Sequence, residues 1–230
     1  MTGRLPLSLR KLPYRAADSA VALYDAPKFK RDLPTVATAL EGVGDGSELR
    51  PVYDRYVSTI SSWDWAVAWR TAVALDALCD ALRPRRILDL GSGFSTYVEC
   101  RWAQNAQPET EIVSVDDSPE WLETTRGFLA GEGLSCELIA RADLGSLPAG
   151  AFDLAFDDMG RVEQRAEAID TLARVMAPGG VVVLDDMNVR GYRAEVRARL
   201  DRAGWPLYSL RKQTIDQRGR FAMLTAAPRR

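Results

Sequence analysis

Three short segments concentrate the residues that could do chemistry. The first, ILDLGSGFST at 87–96, passes from an apolar run through Asp89 into Gly91 and Gly93, then into Ser95 and Thr96. Glycines at such a place let the backbone turn sharply and approach a ligand that any side chain would obstruct. The second, IVSVDD at 112–117, ends in Asp116 and Asp117; Asp116 falls 25 positions after Gly91, where a carboxylate can accept both hydroxyls of a ribose. The third is a pair of acid pairs, Asp157 with Asp158 and Asp185 with Asp186, each closing an apolar run. Carboxylates gathered at two neighbouring strand ends repel one another unless one is protonated, arginines neutralise them, or a divalent cation sits among them.

What is missing narrows the chemistry. The chain has no histidine, and Cys79, Cys100 and Cys136 are far apart with no CxxC spacing, so a metal here would be held by oxygen alone. A dinucleotide loop wants a third glycine near position 96 and finds Thr96, while the charge of Asp89 would repel a pyrophosphate. The same charge suits a ligand that carries an ammonium and a sulfonium.

At these residues the chain resembles the class I S-adenosylmethionine-dependent methyltransferases, over roughly residues 62–225. Their glycine loop looks like LDLGSG here, their ribose acid like Asp116, their adenine-side acid like Asp143 in IARADL, and their post-helix turn like APGGVVVLDD at 177–186. The resemblance implies S-adenosylmethionine as methyl donor, in a site drawn from Asp89, Gly91, Ser92, Gly93, Ser95, Asp116, Asp117, Asp143 and Asp157. The segment FDLAFDDMGR at 152–161 is further similar to metal-dependent small-molecule O-methyltransferases of the catechol and macrocin types. That similarity implies Asp158, Asp185 and Asp186 as ligands of Mg²⁺, and a small-molecule acceptor methylated on oxygen. Two positions depart from it. Where catechol-type enzymes place a lysine base this chain has Arg161, which stays protonated, and where macrocin-type enzymes place an acid it has Gly160. With no histidine, and lysine only at positions 11, 28, 30 and 212, the proton acceptor is expected among Asp157, Asp158, Asp186 and solvent, with Asp158 favoured.

The elements that must position these residues follow from hydrophobic period. Apolar runs at 86–90, 111–116, 136–140, 152–157 and 181–185 alternate with stretches of helical period, the pattern of parallel strands joined by crossover helices. One amphipathic helix is expected over 161–176 and another along Val189, Tyr192, Val196 and Leu200. The runs 205–210 and 221–225 predict a terminal antiparallel pair. Gly179 and Gly180 read as the end of a helix and the entry to the fifth strand. Before residue 86 only helices are expected, over 29–40, 49–60 and 65–82, with a break at Gly42, Gly44 and Gly46. The whole predicts a Rossmann-like α/β fold: a seven-stranded, mostly parallel sheet with a terminal antiparallel strand and a helical amino-terminal extension. Trp63, Trp65 and Trp69, with Tyr53 and Tyr56, read either as packing of that extension or as a surface for stacking adenine or an aromatic acceptor.

Size and composition bound the rest. At 230 residues, 47% hydrophobic and 27% charged, the chain predicts one globular domain, with 1–61 as extension and 62–230 as core. No run approaches the roughly 18 to 20 apolar residues of a membrane span, and the amino end lacks a signal-peptide run, so a cytoplasmic protein without a membrane partner is expected. Bases outnumber acids seven to three over 1–36 and eleven to three over 187–230, which leaves the middle with an excess of 14 acids. Aromatics are not interleaved with the basic residues as in single-strand binding grooves, so no nucleic-acid partner is expected. Arg190, Arg193, Arg197 and Arg202 are expected to face solvent; a homodimer stays open. Three rivals share parts of this reading. A nicotinamide-dependent oxidoreductase is disfavoured by Thr96, Asp89 and the lack of a Tyr-x-x-x-Lys pair, while an aminopropyl transferase and a non-catalytic adenosyl-binding module share the donor-site logic.

Overall fold

A computed structural model describes residues 26–106 and 109–229; the amino end of the expected extension, 1–25, lies outside the described residues. Seven strands, β1 (Arg86–Leu90), β2 (Glu111–Asp116), β3 (Glu137–Ala140), β4 (Phe152–Asp157), β5 (Met176–Leu184), β6 (Leu207–Ser209) and β7 (Met223–Ala226), form one sheet in the order β3-β2-β1-β4-β5-β7-β6. The first five are parallel and β7 runs antiparallel to both β5 and β6. The expected sheet is therefore present, with its terminal antiparallel pair. β5 begins five residues before the expected start, so that Gly179 and Gly180 lie inside it beside a register shift opposite Phe152 and Leu154.

Both faces of the central strands are covered, which is why they read as continuous apolar runs. Ile87, Leu154, Phe156 and Val183 point to one side and Leu88, Leu90, Ala155, Val182 and Leu184 to the other. The first side packs against helices α1 (Pro34–Glu41), α2 (Arg50–Thr59), α3 (Trp69–Leu82), α4 (Phe94–Ala103) and α5 (Pro119–Gly131). The second packs against α7 (Ala168–Val175) and α8 (Arg190–Ala203), which follow the short helix α6 (Val162–Arg165). A last short helix, α9 (Arg211–Thr214), precedes β7. The amino-terminal helices are tied to the sheet by rings: Phe94 stacks against Tyr53, Tyr56 and Tyr97, and Phe128 against Tyr56 and Tyr97, at centroid distances of 4.8–5.4 Å.

The expected helices are cut at three places. That over 29–40 breaks at Leu33, because Pro34 pushes the preceding residue out of the helical region. That over 65–82 starts only at Trp69; residues 63–66 form a turn instead. That over 161–176 divides into α6 and α7, and the division falls directly after Arg165, whose side chain is drawn under the sheet edge by the ion pairs described below. On α8, Tyr192, Val196 and Leu200 are buried, and Arg190, Arg197 and Arg202 are exposed as expected. Arg193 departs from that expectation: it folds back to donate to the Met187 carbonyl at 2.8 Å and lies over the Phe221 ring.

One buried acid on α4 is a liability. Glu99 is fully buried, and neither carboxylate oxygen has a hydrogen-bond partner among the described residues. Burial therefore raises its pKa well above the usual carboxylate range. A carboxyl whose folded pKa exceeds its unfolded one costs stability as pH rises through the gap between them. Glu99→Gln should melt higher than the parent at pH 8, with a smaller difference at pH 5. Melting curves that shift equally at the two pH values would show that Glu99 does not titrate with folding.

Candidate active site

Strand register explains why residues far apart in sequence meet. Leu90 pairs with both Val115 and Asp157, and Asp157 pairs with Leu184. The next residue of each strand therefore stands in one row at the carboxyl edge: Gly91, Asp116, Asp158 and Asp185. The ladder continues into that row through Gly91 N–H to the Val115 carbonyl at 2.8 Å, Asp158 N–H to Leu90 at 2.7 Å and Asp185 N–H to Asp157 at 3.1 Å. Ligands of open α/β sheets bind at this edge. Above the row lies a cavity of about 920 Å³. A second, shallower cavity of about 570 Å³ lies between the 42–49 loop and α3, and none of the motif residues reaches it.

One half of the cavity is the glycine loop. Gly91, Ser92, Gly93 and Ser95 line it together with Asp116, Asp117, Ser118 and Trp121. Asp116 holds the loop: one carboxylate oxygen accepts the Ser92 N–H at 3.1 Å and the other the Ser118 N–H at 2.9 Å. Each oxygen keeps a second lone pair, so the residue can still receive two hydroxyls. Burial raises its pKa, and the Ser118 amide works against that shift. Ser118 also caps α5 by accepting the Trp121 N–H at 3.2 Å, and the Trp121 indole N–H then donates to the Ser92 carbonyl at 2.6 Å. Gly93 has its own constraint, since a Cβ there would stand 2.8 Å from the Tyr56 hydroxyl.

Asp89 does not take the place that its charge suggested. Its carboxylate is fully buried behind the loop, where it accepts hydrogen bonds from Ser95 at 3.0 Å, Ser114 at 2.9 Å and Thr96. Burial lifts its pKa to about 7 against the pull of these hydroxyls. Thr96, where a dinucleotide loop has glycine, gives its hydroxyl to Asp89 and accepts the Gly93 N–H at 2.9 Å. Asp89 is thus the post around which the loop is wound. Asp143 is exposed on the 3₁₀ turn Arg141–Ser146, and Asp157 is fully buried below the row; Asp89, Asp143 and Asp157 are not among the described residues lining the cavity. Burial raises the Asp157 pKa to about 7, with Arg165 pulling it down.

The other half is built from Asp158, Asp185, Asp186, Arg161, Arg165 and Arg220, with residues 60–67 as its lip. Arg165 donates to Asp158 at 2.6 Å, to Asp186 at 3.3 Å and to the Gly160 carbonyl at 3.0 Å. Asp186 adopts a left-handed backbone at φ 54°, which aspartate tolerates better than most residues. Asp185 is only 3% exposed, and its Oδ1 has no hydrogen-bond partner among the described residues. Burial, reinforced by the Asp158 and Asp186 charges, raises its pKa well above the usual range. Burial raises that of Asp158 too, opposed by Arg165.

The expected Mg²⁺ site of Asp158, Asp185 and Asp186 does not fit this arrangement. Among the described residues no three acids are gathered around one point, and a guanidinium stands between two of the three proposed ligands. The aromatic residues of the extension divide between the two roles weighed for them. Tyr53 and Trp69 pack against each other, whereas Tyr56 and the 84% exposed Trp65 line the cavity. Arg220 fixes the lip by donating to the Trp63 and Ala66 carbonyls at 3.2 Å each, and Asp216 braces Arg220 in turn. Trp121, Arg165 and Arg220 went unnoticed as site residues in the sequence. A serine-proline helix start after Asp117 was a readable signal for Trp121, and the acid pairs that end two neighbouring strands called for a buried cation.

Residues 88–187 match the family described as "Methyltransferase domain". No curated protein matches the sequence. Among solved structures, the O-methyltransferase of Bacillus cereus in complex with SAH is 16% identical, covering 92% of this chain and 100% of its own, with a TM-score of 0.63. The O-methyltransferase TomG of Streptomyces achromogenes, involved in tomaymycin synthesis and solved with SAM, is 20% identical, covering 92% of this chain and 96% of its own, with a TM-score of 0.60. Among the described residues no helix is long and apolar enough to cross a membrane. The glycine loop, the row of acids and the match to the methyltransferase-domain family fall on the same 100-residue span, 88–187, within a Rossmann-like fold shared with the two solved O-methyltransferases.

Proposed function

We propose that this protein is a methyltransferase that takes its methyl group from S-adenosylmethionine and passes it to a hydroxyl of a small molecule. The observation that carries the reading is the two-part cavity. A loop wound on Asp89 and tied to Asp116 faces a lined floor of carboxylates across one space of about 920 Å³. Asp116 is assigned to the ribose diol, and the Ser92, Ser118 and Trp121 edge to the rest of the donor. When bound, the donor supplies an electrophilic sulfonium methyl. The chain's own task is to hold the acceptor oxygen in line with it, exclude water and receive one proton as the oxygen–carbon bond forms and the sulfur–carbon bond breaks.

The sequence assigned that proton to Asp158, but Asp158 already accepts from Arg165. Asp185 stands in the same row, lines the cavity and accepts no Arg165 bond among the described residues, so we assign it the hydrogen bond from the acceptor hydroxyl and the proton that follows. The exposed indole of Trp65 gives the lip an apolar face for the body of the acceptor. Likeness to the two O-methyltransferases supports oxygen as the receiving atom.

Calorimetry tests the donor: S-adenosylmethionine and S-adenosylhomocysteine should bind at micromolar levels, and NADH at least a hundredfold more weakly. Tight NADH binding with neither adenosyl compound would overturn the reading. With trideuteromethyl donor and a panel of phenols, sugars and amines, mass spectrometry should find the label on oxygen. Label confined to nitrogen would refute the hydroxyl assignment while leaving the donor in place.

A further inference from the structure

The floor of the cavity carries Asp158 and Asp186, two acids that a hard divalent cation would ordinarily bridge. Their mutual repulsion is answered from within the chain. The Arg165 side chain is 5% exposed, and one of its terminal nitrogens spans Asp158 at 2.6 Å and Asp186 at 3.3 Å. The other terminal nitrogen donates to the Gly160 carbonyl at 3.0 Å, and the guanidinium carbon lies 5.9 Å from the centre of the Tyr192 ring. A divalent ion shared by Asp158 and Asp186 would need their oxygens at about 2.0 to 2.6 Å, in the space the nitrogen fills. It would also meet the fixed positive charge at contact distance. Arginine does not deprotonate at any working pH, so the group does not yield that place.

We propose that Arg165 is the resident cation of this floor: its guanidinium clamps Asp158 and Asp186 in the position a divalent ion would take. Arg165 is then a positioning residue, and donor binding and methyl transfer proceed without a divalent cation. The inference concerns the floor alone and stands whichever acceptor atom is methylated.

The test uses the full chain and Mn²⁺ as the probe, with bound ion read by electron paramagnetic resonance and the fold checked by S-adenosylhomocysteine calorimetry. Wild type and Arg165→Lys should show no Mn²⁺ site below millimolar concentration that depends on Asp158. Arg165→Gln, which removes the charge and shortens the side chain, should gain one site at least tenfold tighter, lost again when Asp158→Asn is added. A merely structural arginine would change stability without creating that site. Stoichiometric Mn²⁺ on wild type that Asp158→Asn abolishes would overturn the proposal. A folded Arg165→Gln chain that gains no site would overturn it as well. Should Arg165→Gln fail to fold, the comparison of wild type with Asp158→Asn still decides the matter. Failure of S-adenosylhomocysteine to bind wild type would strike the donor assignment and not this one.

Discussion

Asp116→Ala is expected to weaken S-adenosylhomocysteine binding roughly 10- to 150-fold. That factor corresponds to the loss of about 1.5 to 3 kcal/mol for hydrogen bonds to a charged acceptor. The residue does two things at once, so affinity alone would not say which was lost. It accepts the Ser92 and Ser118 amides, which shape the loop, and it keeps lone pairs for a ribose. Deoxyribose analogues of S-adenosylhomocysteine separate the two. In wild type, removing a ribose hydroxyl should cost affinity because it leaves part of Asp116 unsatisfied. In Asp116→Ala that penalty should vanish, as the coupling logic of a double-mutant cycle requires. If the penalty is the same in both proteins, Asp116 only braces the loop and the ribose lies elsewhere. Because Asp116 acts as an acceptor, its protonation at acid pH should also weaken binding, over a range raised by its burial.

Much of this frame was legible because burial on both faces of a parallel sheet leaves a strong mark. β1, β2 and β4 coincide with apolar runs whose ends are set by glycine or aspartate, and the row Gly91, Asp116, Asp158, Asp185 follows once the strands pair in parallel. What the residues do within that row was less legible, since it depends on partners distant in sequence. Asp89 was read as charge offered to a ligand, but three hydroxyls, two of them six and seven residues on, enclose it. Asp158 and Asp186 were read as metal ligands because acids converge there; the cation that answers them is an arginine seven residues after Asp158. Helical period over 161–176 hid Arg165, since an uninterrupted helix gives no reason for one arginine to turn inward. The division between α6 and α7 supplies that reason only in three dimensions. Asp143 was carried by resemblance to a strand end, and the 3₁₀ turn leaves it in solvent.

Gly91→Ala should lower the melting temperature by roughly 5 to 15 °C, the equivalent of about 2 to 4 kcal/mol in a chain of this size. Two causes add. Gly91 sits at φ 110°, a conformation that L side chains rarely adopt. A Cβ there would also stand 2.9 Å from the Asp158 carbonyl carbon and 3.0 Å from the Met159 nitrogen. Those are backbone atoms held by the ladder bond from Asp158 to Leu90, so they cannot swing aside as a side-chain tip would. The sequence reading gave this glycine to the ligand. The structure gives it first to the neighbouring strand, and so couples the donor loop to the floor carrying Asp158 and Arg165. Gly127, inside α5 with nothing within 4 Å of its would-be Cβ, is the contrasting position, and Gly127→Ala should raise stability by up to about 1 kcal/mol. If Gly91→Ala melts within a degree of wild type and binds S-adenosylhomocysteine unchanged, loop and floor are independent. If it folds but loses affinity together with a disturbed Asp158–Arg165 pair, donor and acceptor halves share one rigid joint at the edge of β1 and β4.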